Sequence, residues 1–217
     1  MSRPKGDSDQ RLIRAAQELL DEKGFTGLKV RNVAKKAGVN LGMFHYHFKT
    51  KENFQKRVMR DLYERFFADF RLETSQSGTP LERLRRALVT LSRFARDNRK
   101  LLLGVIGDAA QGDVHVMDFI QANFPRHALI LFSLLKECQK KGYVERMPTH
   151  LAVSLLFPSI MAPNIAMAIV EHKRIPPLVR AAVRGIKEDI LSNSILEKRV
   201  NYALRAVGAD FTKRSQP

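Results

Sequence analysis

Val30-Arg31-Asn32-Val33-Ala34-Lys35-Lys36-Ala37-Gly38-Val39-Asn40-Leu41-Gly42-Met43-Phe44-His45-Tyr46-His47-Phe48-Lys49-Thr50-Lys51 decides the fold of this 217-residue chain. Val30, Val33, Ala34 and Ala37 make one apolar helical face, predicting a short helix over Val30–Ala37. Gly38 supplies the positive φ of a tight turn. Val39 plugs the core and Asn40 caps the next helix. That helix runs over Leu41–Phe48 and buries Phe44 and Phe48 at i, i+4, leaving Met43, His45, Tyr46 and His47 facing partly outward. Two helices joined by three residues suit a helix-turn-helix, in which the second helix enters a DNA major groove about 12 Å wide.

Working outward, Asp7-Ser8-Asp9-Gln10 offers capping oxygens for a helix carrying Leu12, Ala15, Ala16 and Leu19 on one stripe, with Gly24 as its stop. Downstream, Phe54, Val58, Leu62, Phe66 and Phe70 mark a long helix from Lys51 towards Glu73, and Thr74–Pro80 reads as a loop. Pro80 opens a helix to about Asn98 lined by Leu84, Leu88, Leu91 and Ala95. Further helices are expected over Leu101–Ala110 and over His115–Lys141, the latter bent or interrupted at Pro125. Pro148 starts another, with a kink at Pro163, and Val179–Val207 reads as one final long helix. No strand alternation and no internal repeat is present. The fold class is therefore all-α, with eight to ten helices, and the expected division is 1–60 for DNA binding and 61–217 for a larger helical domain.

The chain carries 38 Lys and Arg against 22 Asp and Glu, a formal net charge of +16 and a pI near 10.3. Residues 1–60 hold 14 of those cations against 6 acids, so the positive charge is concentrated around the helix-turn-helix. A polyanionic partner fits this distribution. Cys138 is the sole cysteine, which excludes an intrachain disulfide and fits a reducing compartment. The polar start, Met1–Gln10, is not expected to act as a secretory signal. Met147–Val170 contains no Asp, Glu, Lys or Arg and is long enough to span a bilayer, but Pro158, Pro163, Asn164 and two serines favour a buried or interface helix. No nucleophile elbow, phosphate loop or supported carboxylate pair appears, so no enzyme activity and no cofactor are expected. His45 and His47, two apart on a helix, point to different faces and do not make a metal pair. His115, His127, His150 and His172 show no metal spacing. Arg3 and Lys5 read either as a minor-groove arm or as a basic tail.

Gly24-Phe25, Val30-Arg31-Asn32-Val33-Ala34, Ala37-Gly38-Val39-Asn40, Gly42 and Phe48-Lys49-Thr50-Lys51-Glu52 resemble the TetR family of bacterial transcriptional regulators. The resemblance covers about Asp7 to Phe67. It implies a cytoplasmic, nucleoid-associated homodimer that binds a double-stranded operator through the N-terminal unit and a small-molecule effector through the rest. Position by position, it places Arg31 within reach of a base or phosphate, and Leu41, Gly42 and Met43 against base edges. His45 falls where the family commonly has Tyr for a phosphate, Tyr46 at a variable base or sugar site, and His47 and Lys51 at phosphates. Asn40, Lys49 and Thr50 flank this set. Two departures stand out. Lys29 occupies the position of the usual Ser or Thr cap, which leaves two alternatives: Thr26 caps from further out, or Lys29 itself touches phosphate. Apolar Leu41 and Met43 point to readout of thymine methyls and DNA shape.

In the C-terminal part, Leu102, Ile106, Phe119, Phe124, Met161, Asn164 and Met167 are the candidate effector contacts. Ser159, Ala162 and Ala166 permit close helix approach, and Val183, Ile186, Ile190, Val200, Leu204 and Val207 form a seam for a four-helix dimer interface. The residues leave two functions open: a ligand-responsive repressor, or a DNA-bound architectural scaffold whose C-terminal domain holds a protein partner. A membrane-anchored regulator is a third.

Overall fold

A computed structural model of the chain describes residues 7–23, 28–171 and 175–213. Ten helices occur among them: α1 (Ser8–Lys23), α2 (Val30–Ala37), α3 (Leu41–Phe48), α4 (Lys51–Ser75), α5 (Pro80–Asp97), α6 (Arg99–Ala110), α7 (Val114–Lys140), α8 (Thr149–Val170), α9 (Pro177–Leu191) and α10 (Asn193–Ala206). No strand occurs among the described residues. Gly24, Thr26, His172, Arg3 and Lys5, singled out in the sequence, lie outside them.

The chain forms two compact units, one of residues 1–65 with 100–121, the other of 66–99 with 122–217. The division differs from a single cut near residue 60 because α6 returns to the first unit. Leu101 is buried in the N-terminal core and Val105 packs against it, beside Leu12, Ala16, Val33, Phe44, Phe48, Phe54 and Val58. A single cut along the sequence cannot show a segment that comes back.

The second unit is built on α5, α8 and α10, which pack on one another, with α9 against α8 and α10. Thr79 and Glu82 close a capping box at the start of α5: Glu82 N–H donates to Thr79 Oγ1 at 3.2 Å, and Thr79 N–H donates to Glu82 Oε2 at 2.7 Å. From α8, Ala152, Leu156, Ile160, Asn164, Met167 and Ala168 are buried. Arg99 donates to both carboxylate oxygens of Glu171, at 3.1 and 2.8 Å, and Lys187 of α9 sits 2.8 Å from one of them. Burial alone would push the Glu171 carboxyl up, but the hydrogen bonds from Arg99 and Lys187 outweigh it and hold it below the ordinary carboxylate value.

Three expectations from the sequence are revised. The final helix is two helices, because Ser192 adopts an extended ψ of 150° and its hydroxyl accepts from Ile195 N–H at 3.2 Å, capping α10. Val200, Leu204 and Val207 are fully buried in their own unit, so they are core residues and not an outward seam. α7 stays helical through Pro125, so it is not interrupted there; Pro158 and Pro163 likewise lie inside α8.

α8 is long and apolar enough to cross a membrane by length and composition alone. One face packs in the second unit. Its other face exposes Leu151, Leu155, Ala162, Ala166 and Ile169, which recur along one side. α9 contributes no buried residue and exposes Leu178, Val179 and Ile186.

Candidate nucleic-acid interface

α2 and α3 occupy the ranges their apolar periodicity predicts, and the turn between them is fixed twice. Gly38 has φ 60°, and the Arg11 guanidinium of α1 donates to the carbonyls of Ala37 and Gly38, the latter at 3.0 Å. A Cβ on Gly38 would stand 3.0 Å from the end of that guanidinium, which would have to shift, and the left-handed backbone conformation itself favours glycine. Phe44 and Phe48 are buried against Phe54 of α4, with ring centroids 4.9 and 4.8 Å from it. They seat α3 on the core, which directs its other face to solvent.

That face carries the predicted contact residues. Arg31, Asn40, Leu41, Gly42, His45, Tyr46, Lys49, Thr50 and Lys51 are exposed; Met43 and His47 are half-buried. Tyr46 is 76% exposed, which rules out a core role. Some polar atoms are committed within the chain. Asn40 Oδ1 accepts from Gly42 N–H at 2.8 Å and caps α3. Thr50 Oγ1 accepts from Asn53 N–H at 3.2 Å and caps α4. Asn40 and Thr50 therefore order the two helix starts, leaving the helix dipoles with positive ends at solvent. Lys29 stands at the α2 N-cap in extended conformation without a side-chain cap bond, as the sequence implies. Lys36 pairs with Glu18 at 3.3 Å.

One feature here has no sequence signal. Lys49 has φ 62° and ψ −58°, and Thr50 N–H donates to Phe48 O at 2.7 Å, forming a γ-turn of the strained, positive-φ kind between α3 and α4. His45 Nδ1 lies 3.3 Å from the Lys49 carbonyl oxygen. The strained turn compresses Lys49, Thr50 and Lys51 into a basic corner at the start of α4. Glu52 follows, its carboxyl held below the ordinary value by a hydrogen bond to its own amide and by the Thr50 hydroxyl.

Within the second unit lies an apolar cavity of about 70 Å³. α5 contributes Leu84, Leu88 and Leu91; α8 contributes Val153, Leu156, Phe157 and Ile160. The α7 wall runs from Phe124 and His127 to Leu135. Of the candidate effector contacts, Phe124 lines it. Met161, Asn164 and Met167 lie further along α8, where Asn164 is buried and donates to Ile160 O at 2.8 Å. Leu102, Ile106 and Phe119 belong to the first unit, where the Phe119 ring meets Tyr63 edge-on at 6.1 Å. The missed signal is the Leu84-Leu88-Leu91 row, which reads as ordinary core until α7 and α8 are seen opposite it. His127 packs edge-on against Phe66 and Phe124, at 5.6 and 5.3 Å, and burial lowers its pKa to about 4. Cys138 is buried and its thiol is pushed up to about 12, chiefly by burial. Among the described residues no cluster of three or more His, Cys, Asp or Glu is arranged to hold a metal.

A helix-turn-helix with an exposed second helix and a basic corner defines a DNA-binding protein. Residues 12–58 match the family described as bacterial regulatory proteins, tetR family. The chain is 26% identical to the HTH-type transcriptional repressor KstR2 of Mycolicibacterium smegmatis over 138 residues, 63% of this chain and 66% of that protein. It is 22% identical to the probable HTH-type transcriptional regulator YttP of Bacillus subtilis over 163 residues, 74% of this chain and 79% of that protein. The chain thus spans about two thirds of the first relative's length. Its fold is similar to that of the transcriptional regulator FadR of Bacillus subtilis, solved with stearoyl-CoA, at 20% identity and a TM-score of 0.61 over 88% of this chain and 98% of that one. Residues 12–58 thus carry a DNA-binding domain of the kind found in the tetR family of bacterial regulatory proteins.

Proposed function

We propose that the protein is a ligand-responsive, homodimeric repressor that binds a palindromic operator in the bacterial cytoplasm, at the nucleoid. The observation that carries this reading is the presence, on one chain, of an exposed recognition helix and a separate apolar cavity. Leu41, Gly42, Met43 and Tyr46 read the groove, while Arg31, His45, His47, Lys49 and Lys51 hold phosphates and Asn40 and Thr50 order the helix starts. An effector in the second unit acts by favouring a conformer that binds the operator less well, so release follows from differential affinity for two states. The relative KstR2 is a repressor, and FadR, of similar fold, was solved with stearoyl-CoA, which supports both halves of the reading.

The dimer forms through the exposed faces of α8 and α9, two helices per chain making a four-helix interface. Small Ala162 and Ala166 allow close approach at its centre. That same exposed face also fits a second reading, an architectural DNA-bound scaffold holding a different protein. Footprinting of fragments selected from the source genome tests the proposal. A protected site with two-fold symmetry is expected; a single asymmetric half-site would remove the homodimeric repressor. Sedimentation at micromolar concentration separates the readings, since the scaffold stays monomeric until its partner is added.

A further inference from the structure

The helix-turn-helix does not absorb all of the chain's positive charge. Residues 61–217 carry 24 Lys and Arg against 16 Asp and Glu. In the second unit some of these cations are tied into ion pairs, as Arg85 and Arg93 are with Glu197. Others are not. Lys140, Arg146, Lys198 and Arg205 are exposed and make no ion pair among the described residues.

Aromatic rings stand among these cations. Lys198, Tyr202 and Arg205 fall at i, i+4 and i+7, a line about 10 Å long on the face of α10 turned away from buried Leu196, Val200 and Leu204. Tyr202 is 65% exposed and Phe211 42%. The Arg205 guanidinium lies 5.9 Å from the centre of each ring, so the three side chains form one patch. Phe211 is held in place by its neighbours. Asp210 Oδ1 accepts from the N–H and the hydroxyl of Thr212, at 2.9 and 2.6 Å. Asp210 N–H donates to Tyr143 O at 3.0 Å, and Glu145 N–H donates to Val207 O at 3.2 Å. These bonds clip the chain after α10 to the chain after α7. They set Phe211 beside a groove lined by Lys140, Lys141, Arg146 and Lys213, with the carboxylates of Glu145 and Asp210.

This composition restricts the occupant. A second copy of the chain carries the same +16 and is repelled. Lysine is depleted from protein interfaces, yet Lys140, Lys141, Lys198 and Lys213 outnumber Arg146 and Arg205 here. In a duplex the base faces are already stacked on one another, and Tyr202 and Phe211 would have nothing to lie on. A single strand offers a face at every base, and aromatic stacking beside cations holds such strands without reading their sequence.

We propose that Tyr202, Arg205 and Phe211, with the lysines around them, form a second nucleic-acid surface, one that takes single-stranded DNA or RNA by base stacking. It is separate from the helix-turn-helix and serves a different form of nucleic acid.

The test uses the full chain saturated with random-sequence duplex, which occupies the helix-turn-helix. Fluorescein-labelled oligothymidylate or oligouridylate, about 12 nucleotides long, is then added and its anisotropy followed. Saturable binding is expected, and tighter binding of either strand supports the surface and identifies the source. Tyr202→Ala should weaken binding by about tenfold, while Tyr202→Phe, which keeps the ring, should not. Phe211→Ala should give a comparable loss by an independent route, should Tyr202→Ala fail to fold. Stacking also has its own optical signature. The chain has no Trp and four Tyr, of which Tyr63 and Tyr143 are buried. In duplex-free Tyr46→Phe, Tyr202 is therefore the exposed tyrosine, and unlabelled oligothymidylate should quench its emission. No saturable binding, or binding that excess duplex removes, overturns the proposal. Unchanged affinity in Tyr202→Ala and Phe211→Ala overturns it too, since charge attraction alone would then hold the strand. If poly-glutamate binds as tightly and is lost in the same variants, the patch belongs to an acidic protein and the proposal falls.

Discussion

His45 Nδ1 faces the carbonyl oxygen of Lys49 at 3.3 Å, across the end of the recognition helix. This contact braces the one non-glycine residue with positive φ among those described. Such a conformation stores about 1–3 kcal/mol and persists only where its surroundings impose it. Lys49→Gly should therefore stabilise the fold by about 1 kcal/mol in chemical denaturation, after allowing for the entropy glycine adds to the unfolded chain. DNA affinity should fall for every sequence, because the basic corner is loosened and one cation removed. A variant less stable than the parent would show that the turn is not strained.

Gly42 tests whether a partner approaches the backbone of α3. A Cβ there would meet only Asn40 Oδ1, at 3.4 Å, so the fold itself tolerates alanine. Gly42→Ala should raise stability by about 0.5–1 kcal/mol and weaken operator binding by about tenfold. Two effects of opposite sign, read by thermal unfolding and by titration with operator DNA, would locate the requirement for glycine in the complex. Unchanged affinity would remove Gly42 from the interface.

Lys51 and Tyr46 should separate in kind. Lys51→Ala should weaken binding to all DNA and reduce the salt slope by about one. Tyr46→Ala should cost roughly 1–3 kcal/mol at the operator and relax one position in it. Titrations at several salt concentrations, on operator and on random DNA, check both.

Ala166→Glu places a charge at the centre of the exposed α8 face. Sedimentation equilibrium at micromolar concentration should show dimers for the parent and monomers for the variant, with circular dichroism unchanged. A variant that remains dimeric would move the interface elsewhere.

His127 gives the fold an acid sensitivity. Unfolded, its imidazole takes a proton near pH 6.5; folded, burial delays this to about 4. Between those values the unfolded state holds more protons, so this contribution is fully present above about pH 6.5 and is lost as pH falls towards 4. His127→Phe keeps an aromatic ring against Phe66 and Phe124 and does not titrate. Urea titrations at pH 7 and pH 5 should show an acid loss about 2 kcal/mol smaller in the variant.

The helix-turn-helix was legible because its apolar positions, its glycine and its caps all act within a few residues. Phe44 and Phe48 had to be inward once their spacing was read, and Tyr46 outward in consequence. The γ-turn at Lys49 was not legible, since lysine carries no propensity for it and the bracing His45 acts through the folded backbone. The break at Ser192 was hidden because Ile186, Ile190, Val200 and Leu204 keep helical spacing across it. Leu101 and Val105 joined the N-terminal core unannounced, as any apolar pair in a returning segment would. The cavity was hidden for a related reason: Leu84, Leu88 and Leu91 look like filled core until the opposing helices fail to fill it.

α9 carries an implication for how this chain changes over time. None of its side chains belongs to the interior, and Lys187 ties it to Glu171 by a charge pair at its surface. Substitutions at Leu178, Val179 or Ile186 therefore answer to whatever the helix meets, and hardly at all to folding. Such a segment can drift towards a new companion while the groove-reading helix and the apolar cavity stay as they are, so allegiance and recognition can evolve on separate schedules.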